Sequence, residues 1–462
     1  MKHATLRCRS AALALSVAAL LIPAVADAAA AGPRPGPSSA AAAAAADRAV
    51  VAGLQRYAHP LRSAEPGGSG ADLAAFASMT RGATVVGLGE ASHGSKELFT
   101  VKDRLFRHLV EREGFSALAT EMSWSAAARL DTYVRTGEGD PRQIMREELQ
   151  DGYSLLDTEE LLRMFRWIRE HNRTSAHKVR IVGMDVSDAG PEQYERILAR
   201  AGTDEPALVP ELRRHYTALR ALPGGVATRM AAYNALPLAE RKVIAEDAEA
   251  AYQLLARAGK QDPWVLQEAW IISRMAESYT FDTDDPAQLA AAGRQRDRTM
   301  AEIAVWWQHR TGGRVVVSAH DGHISYETVM PAYYPVTTGA VLRELIGSEY
   351  LAVGTSLYEG DYRARTSASA AGTFSVGPAA PGSNEYTLDK VRHRDFYVDL
   401  RAAGRDPVVR NWLNTARPTF VIPGRYPNRP TPPLALGHAF DAVVHLHKVH
   451  ASVPVPAPVT AR

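Results

Sequence analysis

The sequence predicts a three-layer α/β/α fold with a mainly parallel sheet and a large helical insertion. Two observations lead to this prediction. Short apolar runs alternate with stretches in which apolar residues recur at helical spacing, as in Arg81–Glu121, which has the order strand, loop, helix, strand. The stretch from Pro191 to Arg310 has an almost wholly helical pattern. We therefore expect it to form a subdomain that covers one side of the cleft.

The first 26 residues have the pattern of a secretory signal peptide. Lys2, Arg7 and Arg9 form a positive segment, Ala11–Leu21 is apolar, and Ala24–Ala26 is a typical cleavage site. The apolar segment is shorter than the roughly 18 residues that a membrane-spanning helix needs. We expect a secreted, extracellular protein that has no membrane association after the signal is removed.

Cysteine content and charge exclude several classes of function. The one cysteine, Cys8, lies within the predicted signal, so the mature chain would have no disulfides, cysteine nucleophile or thiolate metal site. The 53 basic and 51 acidic residues of the whole chain nearly balance, and three of the basic residues belong to the signal. A chain of this charge has no basic surface of the size that nucleic acid requires, so we expect no nucleic-acid partner.

Residues 27–46 are rich in alanine and proline, and we predict a flexible lead-in. Short helices are predicted at Asp47–Tyr57 and Asp72–Met79, and the first two strands at Ala83–Leu88 and Ser116–Thr120, with a helix between them. Because parallel strands need a crossover, these two strands and their helix form a right-handed βαβ unit.

Further elements follow the same alternation. Helices are predicted at Ser125–Val134 and Glu159–Glu170, a third strand at Lys178–Asp185 and, after the helical region and its last helix at Gln295–Gln308, a fourth strand at Arg314–Ala319. The α/β core is accordingly assigned to residues 47–190 and 311–450, and the helical subdomain to residues 191–310.

The last part of the chain has a weaker pattern. A fifth strand is predicted at Tyr350–Leu357, a long loop at Arg363–Asp389, and further strands at Phe396–Leu400 and Thr419–Ile422. Residues 451–462 are predicted to be a disordered tail.

Ionisable side chains follow four of the predicted strands. The carboxyl ends of parallel strands meet at one edge of a sheet, which is where ligands bind in open α/β folds. One such residue would be unremarkable in a solvated loop, but four strand ends together favour an acid–base site. The residues are Glu90 with His93, Glu121, Asp185, and His320 with His323.

Chemistry suggests a role for each residue of this cluster. His93 is the candidate general base, because imidazole titrates near neutral pH and a carboxylate, Glu90 or Glu121, can hold its tautomer. His320 and His323 could polarise a carbonyl or stabilise an oxyanion. Structural alternatives remain: His93 could cap the following helix, and the two later histidines could form a hydrogen-bonded loop pair.

Two further residues are predicted to bind substrate. Lys102 lies about two turns into the helix after His93 and could reach the mouth of the cleft as a cation, although a solvated surface lysine is an equal alternative. Asp185 ends the third strand and could lie behind the reacting groups.

Other motifs are incomplete. Gly87-Leu88-Gly89 begins like a dinucleotide-binding loop, but Ser92 stands where the third glycine belongs, and Ser92 is not in a G-x-S-x-G elbow. Histidines and carboxylates can bind a metal, but the spacing matches no H-E-x-x-H or similar pattern. We therefore expect no cofactor and no metal, while a metal-dependent hydrolase stays an alternative.

The run VVGLGEASHGSKELFTVKDRLFRHLVEREGF, with its Gly-Glu-x-Ser-His-Gly core, resembles the erythromycin esterase family. The likeness continues through Glu121, Gly183–Asp185, Arg296–Glu302 and His320–His323. It implies a metal-independent hydrolase that opens a macrolide lactone and so confers macrolide resistance.

In that family, the histidine that matches His93 is thought to activate water, supported by the carboxylates that match Glu90 and Glu121. The residues matching His320 and His323 and a basic residue at Lys102 also belong to the family site. We expect a monomeric esterase acting on a small-molecule ester or macrolide. An exported protein that binds a ligand without chemistry is the alternative from another class.

Overall fold

The computed structural model describes residues 37–259, 262–367, 370–427 and 431–456. The predicted signal peptide lies outside these ranges. The chain divides into two compact units. One comprises residues 186–282, and the other combines the chain up to Asp185 with the chain from Thr283 onward. Within the described ranges, no helix is both long enough and apolar enough to cross a membrane.

The larger unit is built on a sheet of nine described strands. Two further described strands form a separate two-stranded sheet. The strands are β1 (Ala58–Pro60), β2 (Val85–Leu88), β3 (Phe115–Ser123), β4 (Arg180–Asp185), β5 (Arg314–Ser318), β6 (Tyr350–Arg365), β7 (Ala371–Val376), β8 (Phe396–Asp399), β9 (Arg417–Pro418), β10 (Pro433–Leu434) and β11 (Ala442–Val449). The separate sheet consists of β9 and β10.

The helices of the larger unit lie before and after the helical unit in the chain. The first group is α1 (Pro37–Gln55), α2 (Ala74–Met79), α3 (Lys96–Glu113), α4 (Trp124–Thr136), α5 (Pro141–Glu148) and α6 (Glu159–Thr174). The helical unit contains α7 (Pro191–Asp204), α8 (Val209–His215), α9 (Thr217–Arg220), α10 (Val226–Ala235), α11 (Leu238–Ala258) and α12 (Pro263–Ser278). The second group is α13 (Pro286–Thr311), α14 (Asp321–Ile324), α15 (Thr338–Ile346), α16 (Asn384–Leu388), α17 (Leu400–Ala403), α18 (Pro407–Leu413) and α19 (Leu436–Ala439).

The strand order in the sheet is β1-β8-β11-β6-β2-β5-β3-β4, and β7 pairs with β6. The pairs from β11 to β4 are all parallel, and antiparallel pairing is confined to β1, β7 and β8. The central strands β2 and β5 are buried on both faces, as expected for a parallel sheet covered on each side. The predicted α/β class with a mainly parallel sheet is confirmed.

The βαβ unit forms as its sequence predicts. Four apolar side chains of α3 at helical spacing are buried, and burial of such a side chain contributes about 2 kcal/mol. Gly114 ends the helix at φ 72°, a left-handed conformation that glycine adopts without strain. The chain then enters β3. The four side chains are Leu98, Val101, Leu105 and Leu109.

One strand separates β2 from β3. Ser318, the last residue of β5, lies opposite Leu88 of β2 on one side and Thr120 of β3 on the other. The residues that follow these three positions therefore converge at the same edge of the sheet. This register brings Glu90, Glu121 and His320 together, although they are far apart in the chain.

The N-terminal part departs from the predicted flexible lead-in at residues 27–46. Helix α1 begins at Pro37, inside that range. Its sequence contains a run of alanines, and alanine has the highest helix propensity of any residue type. The part of the lead-in before Pro37 lies outside the described residues.

The predicted loop at Arg363–Asp389 is wrong. Strand β6 continues to Arg365 and pairs antiparallel with β7, and α16 follows. The small and polar residues of this region resemble a loop in sequence. They nevertheless form strands because cross-strand pairing, which has no local signature, supplies their hydrogen bonds.

Three other differences concern the last part of the chain. Thr419–Ile422 is not a strand, since Ile422 makes only one bridge, to Ser92. Strand β11 was not predicted, although it pairs with both β6 and β8. Residues 451–456 of the predicted tail are ordered against the core, where the amide of Ser452 donates to the carbonyl of Gly94. The rest of the tail lies outside the described residues.

The helical region also has different bounds from the predicted subdomain at residues 191–310. The compact helical unit ends at Asp282, and α13 belongs with the sheet, where it packs against β4. The predicted role of the helical region as a cover stays a prediction.

Close pairing of β3 with β4 gives a test of the fold. A Cβ atom on Gly183 would lie 2.1 Å from the carbonyl oxygen of Ser123. Because backbone must move to accept it, we expect Gly183→Ala to reduce the free energy of unfolding by about 1–3 kcal/mol. Thermal unfolding followed by circular dichroism measures this effect.

The control is Gly202→Ala in α7, where the nearest atom to a new Cβ would be 3.9 Å away. That change should be neutral or slightly stabilising, because alanine is the better helix former. An unchanged melting temperature for Gly183→Ala would contradict the close approach of the two strands.

Candidate active site

Glu90 and His93 form a hydrogen-bonded pair in the loop after β2. Nδ1 of His93 donates to Oε1 of Glu90 over 3.2 Å. Glu90 is fully buried, whereas 14% of the His93 side chain is exposed. The bond to the carboxylate places the proton on Nδ1 and leaves the lone pair on Nε2. Among the described residues, Nε2 of His93 has no hydrogen-bond partner.

Lys102 is the counter-ion of Glu90. Its ammonium forms an ion pair with Oε2 of Glu90 and donates to Oγ of Ser318 over 3.0 Å. The side chain is buried, so the alternative of a solvated surface lysine is wrong. Burial lowers the pKa of Lys102 to about 7, against the opposing effect of Asp321 and Glu121. This position does not favour the predicted role in substrate binding.

Arg296 of α13 joins the carboxylates at the ends of β3 and β4. Its Nη2 atom donates to Oε1 of Glu121 over 2.9 Å and to Oδ2 of Asp185 over 2.7 Å. Nε donates to the other oxygen of Asp185 over 3.2 Å. Asp185, predicted to bind substrate, is thus buried and holds Arg296 instead.

Glu121 stays ionised because cations surround it. Although burial by itself would raise its pKa, His323, His93 in its protonated form and the charge of Arg296 hold the pKa of Glu121 well below its ordinary range. The amide of His320 also donates to Oε2 of Glu121 over 3.1 Å. The carboxylate therefore contributes a fixed negative charge to the cluster.

His323 forms a second imidazole–carboxylate pair. Its Nδ1 contacts Oδ1 of the fully buried Asp297 at 2.8 Å, and Thr338 holds that oxygen with its amide and its hydroxyl. Nε2 contacts Nη1 of Arg296 at 3.0 Å and Oε1 of Glu121 at 3.4 Å. Burial lowers the pKa of His323, but Asp297 and Glu121 raise it above its ordinary value.

His320 uses both of its ring nitrogens in internal bonds. Nδ1 accepts from the amide of Gly322 over 3.1 Å, and Nε2 donates to the carbonyl of Ile422 over 3.1 Å. Burial, with the nearby His93, lowers the pKa of His320 to about 3, so the ring is neutral. The predicted role of His320 in polarising a carbonyl is not supported by this arrangement. Its ring packs against that of His93, with 4.7 Å between centroids.

The glycines of the Gly-Glu-x-Ser-His-Gly core are explained by close contacts. A Cβ atom on Gly89 would lie 1.8 Å from Oδ1 of Asp321, and one on Gly94 would lie 1.9 Å from the carbonyl oxygen of Arg363. Asp321 in turn accepts from the amide of Thr355. These two glycines let the loop of His93 lie directly against β6 and α14.

The structure brings all five predicted catalytic residues into one cluster. Prediction from sequence missed Arg296 and Asp297, although both belong to the run Arg296–Glu302 that carries the family resemblance. Charged residues on a long helix usually form a solvated face, so only that resemblance could have identified them.

The donor set fits a metal ion poorly. Glu90, His93 and Glu121 could each supply one ligand atom, and these atoms lie within 4.8 Å of one another. Both oxygens of each carboxylate are already bound inside the protein, those of Glu90 by His93 and Lys102. Those of Glu121 are bound by Arg296 and an amide. A divalent ion would have to displace two buried cations.

Comparison with known proteins identifies relatives. A family model described as erythromycin esterase matches residues 110–449, well over half of the chain. An erythromycin esterase type II of Escherichia coli is 32% identical over 106 residues, which are 23% of this chain and 24% of that relative. The aligned segment thus spans about a quarter of this curated relative.

Two solved structures are similar over most of their length. A Bacillus cereus protein is 30% identical, with a TM-score of 0.81, and the match covers 89% of this chain and 99% of that protein. A structure described as a succinoglycan biosynthesis protein is 26% identical, with a TM-score of 0.79, over 88% of this chain and 98% of that one.

The pair of Lys102 and Glu90 can be tested by removing its cation. Lys102→Met leaves a buried carboxylate without a counter-ion, and loss of one partner of a buried ion pair costs about 3–5 kcal/mol. We expect urea unfolding to show this loss, and the double variant Lys102→Met/Glu90→Gln to recover part of it. Recovery would show that the charge, and not the packing of the lysine, is responsible.

Lys96→Met is the matched control. Lys96 lies in the same helix, but its partner Glu65 is exposed, so the variant should lose less than about 1 kcal/mol. Equal effects of the two lysine variants would contradict a special role for the buried pair.

Proposed function

The chain belongs to the erythromycin esterase family, and from this premise we propose that it is a secreted hydrolase that cleaves an ester or a macrolactone. The reaction is attack by a water molecule that His93 deprotonates, without a metal. The family supports hydrolase chemistry in general. We propose in addition the class of substrate, the role of His93 and the export of the chain.

The hydrogen-bonding state of the three histidines is the observation that carries this proposal. Both ring nitrogens of His320 and of His323 contact protein groups. His93 alone among them combines a carboxylate on Nδ1 with an Nε2 atom that has no partner in the described chain, and its side chain is the most exposed of the three. A general base needs these properties.

The proposed reaction begins when Nε2 of His93 takes a proton from water. The water oxygen forms a bond to the ester carbonyl carbon, and a negative charge develops on the carbonyl oxygen. Glu90, held ionised by Lys102, stabilises the imidazolium that results. When the tetrahedral intermediate collapses, the bond to the alkoxy oxygen breaks and the proton of His93 passes to the leaving alcohol.

Arg296 is the proposed group that stabilises the oxyanion. A guanidinium has five N–H donors, and four contacts to Glu121, Asp185 and His323 use at most four of them. One N–H of Nη1 therefore has no acceptor among the described contacts. Because burial opposes but Asp185 and Glu121 strongly favour its charge, the pKa of Arg296 is raised well above its ordinary value.

Substrate and location rest on other observations. The curated relative named as an erythromycin esterase favours a macrolactone. A structure described as a succinoglycan biosynthesis protein matches 88% of this chain, against 23% for that relative, and favours a wider search among esters. The pattern of residues 1–26 supports export. We propose a monomer that acts on a small molecule.

Replacement of His93 tests the proposed base. His93→Gln should lower kcat by about 10²–10⁴-fold, because general-base catalysis contributes that much. The assay incubates purified mature protein with a panel of macrolides and simple esters and uses mass spectrometry to detect the addition of one water. Turnover by His93→Gln near the wild-type rate would refute the assignment.

His438→Gln is the control, since His438 lies on the surface with 47% of its side chain exposed and should not affect turnover. Repeating the assay after exhaustive chelation, with elemental analysis of the protein, separates a metal-dependent hydrolase from the proposed mechanism. Binding of a panel member without turnover, with affinity unaffected in His93→Gln, would favour a binding protein.

The pH dependence gives an independent test. Burial lowers the pKa of His93, and His323, Arg296 and Arg365 lower it further, against the effect of Glu121. Since the base must be unprotonated, kcat/KM falls when His93 takes up a proton. The midpoint of this acid limb should therefore lie below pH 6.5, the ordinary pKa of histidine. Glu121→Gln removes the opposing charge and should move this acid limb lower still. An acid limb above pH 6.5 in the wild type would contradict the proposal.

A further inference from the structure

The segment Thr419–Gly424 contacts both His93 and His320, whose rings pack against each other. The carbonyl of Ile422 accepts the bond from Nε2 of His320. The amide of Ile422 donates to the carbonyl of Ala91 over 2.7 Å, in the loop that carries His93. A Cβ atom on Gly424 would lie 3.2 Å from Cδ2 of His93, so the backbone there lies directly against the ring.

Two buried side chains of α16 hold the other end of this segment. Oε1 of Glu385 accepts from the amide of Phe420 over 2.8 Å. Nδ2 of Asn384 donates to Oγ1 of Thr419 over 2.7 Å and to the carbonyl of Leu434 over 2.9 Å. Both side chains are almost completely buried. Neither was assigned a function by the sequence, which predicted a loop at this position.

Glu385 is an unusual residue for such a position. Its Oε2 atom is buried and has no hydrogen-bond partner among the described residues, and no cation is paired with it there. Burial raises the pKa of Glu385 to about 7. A buried carboxyl group without a counter-ion costs free energy. Among other residues, the amide of Phe420 and the side chain of Ser383 form hydrogen bonds with its carboxyl group.

We propose that Asn384 and Glu385 are positioning residues for His93 and His320 and act through the segment Thr419–Gly424. This inference rests on the proposed function, in which His93 is the base. The two side chains hold the carbonyl of Ile422 where it accepts the Nε2 proton of His320. That bond keeps the proton on Nε2 and so fixes one tautomer, in which Nδ1 accepts from the amide of Gly322 and the buried ring stays neutral.

A neutral His320 matters because its ring lies against the base. The centroids of His93 and His320 are 4.7 Å apart. If His320 were protonated, its charge would repel the imidazolium that forms when His93 takes a proton from water, and His93 would be a weaker base. Displacement of the Ile422 carbonyl releases the Nε2 proton. A ring that then carries its proton on Nδ1 loses the bond from the Gly322 amide, so the change reaches His93 without touching the substrate.

Histidine ring NMR tests the proposal without a substrate. In protein labelled with ¹⁵N in histidine, the His320 signals are assigned by their loss in His320→Gln. Glu385→Leu removes the acceptor for Phe420. We expect it to change the His320 tautomer signals, because the carbonyl that holds the Nε2 proton is displaced. Glu385→Gln keeps an acceptor oxygen and should retain the wild-type signals.

Asn384→Leu is the second variant and Asn172→Leu its matched control. Asn172 is similarly buried, and its side-chain amide also donates two hydrogen bonds, to the carbonyls of Val134 and Val179. These bonds do not involve the segment Thr419–Gly424. Both variants should lower the melting temperature, and only Asn384→Leu should change the His320 signals. If Glu385→Leu does not fold, the two asparagine variants decide.

Unchanged His320 tautomer signals in the folded Glu385→Leu or Asn384→Leu protein would overturn the inference. A change of equal size in Asn172→Leu would do the same, since it would reveal general loosening. The proposed function is tested by different outcomes. It fails if no ester of the panel is hydrolysed or if His93→Gln is active. Where a hydrolysed ester is known, Glu385→Leu should lower kcat by about tenfold or more with little change in KM, and Glu385→Gln should restore it.

Discussion

The buried ion pair between Lys102 and Glu90 is the interaction on which the site depends. A carboxylate taken out of water takes up a proton unless a cation compensates its charge, and a protonated Glu90 could not stabilise a charged His93. Arg296 pairs in the same way with Glu121 and Asp185 on the neighbouring strands. Glu90, Glu121 and Asp185 thus each have a basic side chain within contact distance, which offsets the cost of burying a carboxylate.

Two imidazole–carboxylate pairs lie on either side of this charge network, and their surroundings differ. In the pair of His93 with Glu90, one ring nitrogen has no partner among the described residues and the side chain is partly exposed, whereas His323 with Asp297 is closed by Arg296 and Glu121. The same pairing therefore gives the proposed base in one place and a fixed part of the electrostatic framework in the other. His320 has neither role, because burial and the amide that Gly322 donates to its Nδ1 keep it neutral beside His93. The family of erythromycin esterases supplies the hydrolytic context for these assignments.

The sheet determines which residues can meet. Because β5 lies between β2 and β3, the ends of three strands from distant parts of the chain are adjacent, and two glycines allow the loop of His93 to approach β6 and α14 closely. Long-range elements complete the site: α13 contributes Arg296 and Asp297, and Thr419–Gly424 contributes the carbonyl that holds His320. The sheet edge therefore supplies His93 and Glu90, and these later segments supply the groups that contact them and their neighbours.

The α/β class and the central strands and helices could be read from the sequence, because hydrophobic periodicity is local. The cluster of site residues could also be predicted, because the carboxyl ends of parallel strands share one edge of the sheet; its members are His93, Glu90, Glu121, His320 and His323. The tertiary structure alone decided that Lys102 is buried against Glu90, that Arg296 and Asp297 belong to the cluster, and that both nitrogens of His320 are occupied. It also decided the pairing of β6 with β7 and the place of β11. These features depend on contacts between residues distant in the chain, whose hydrogen bonds and burial exist only after folding and leave no periodic signal in the sequence.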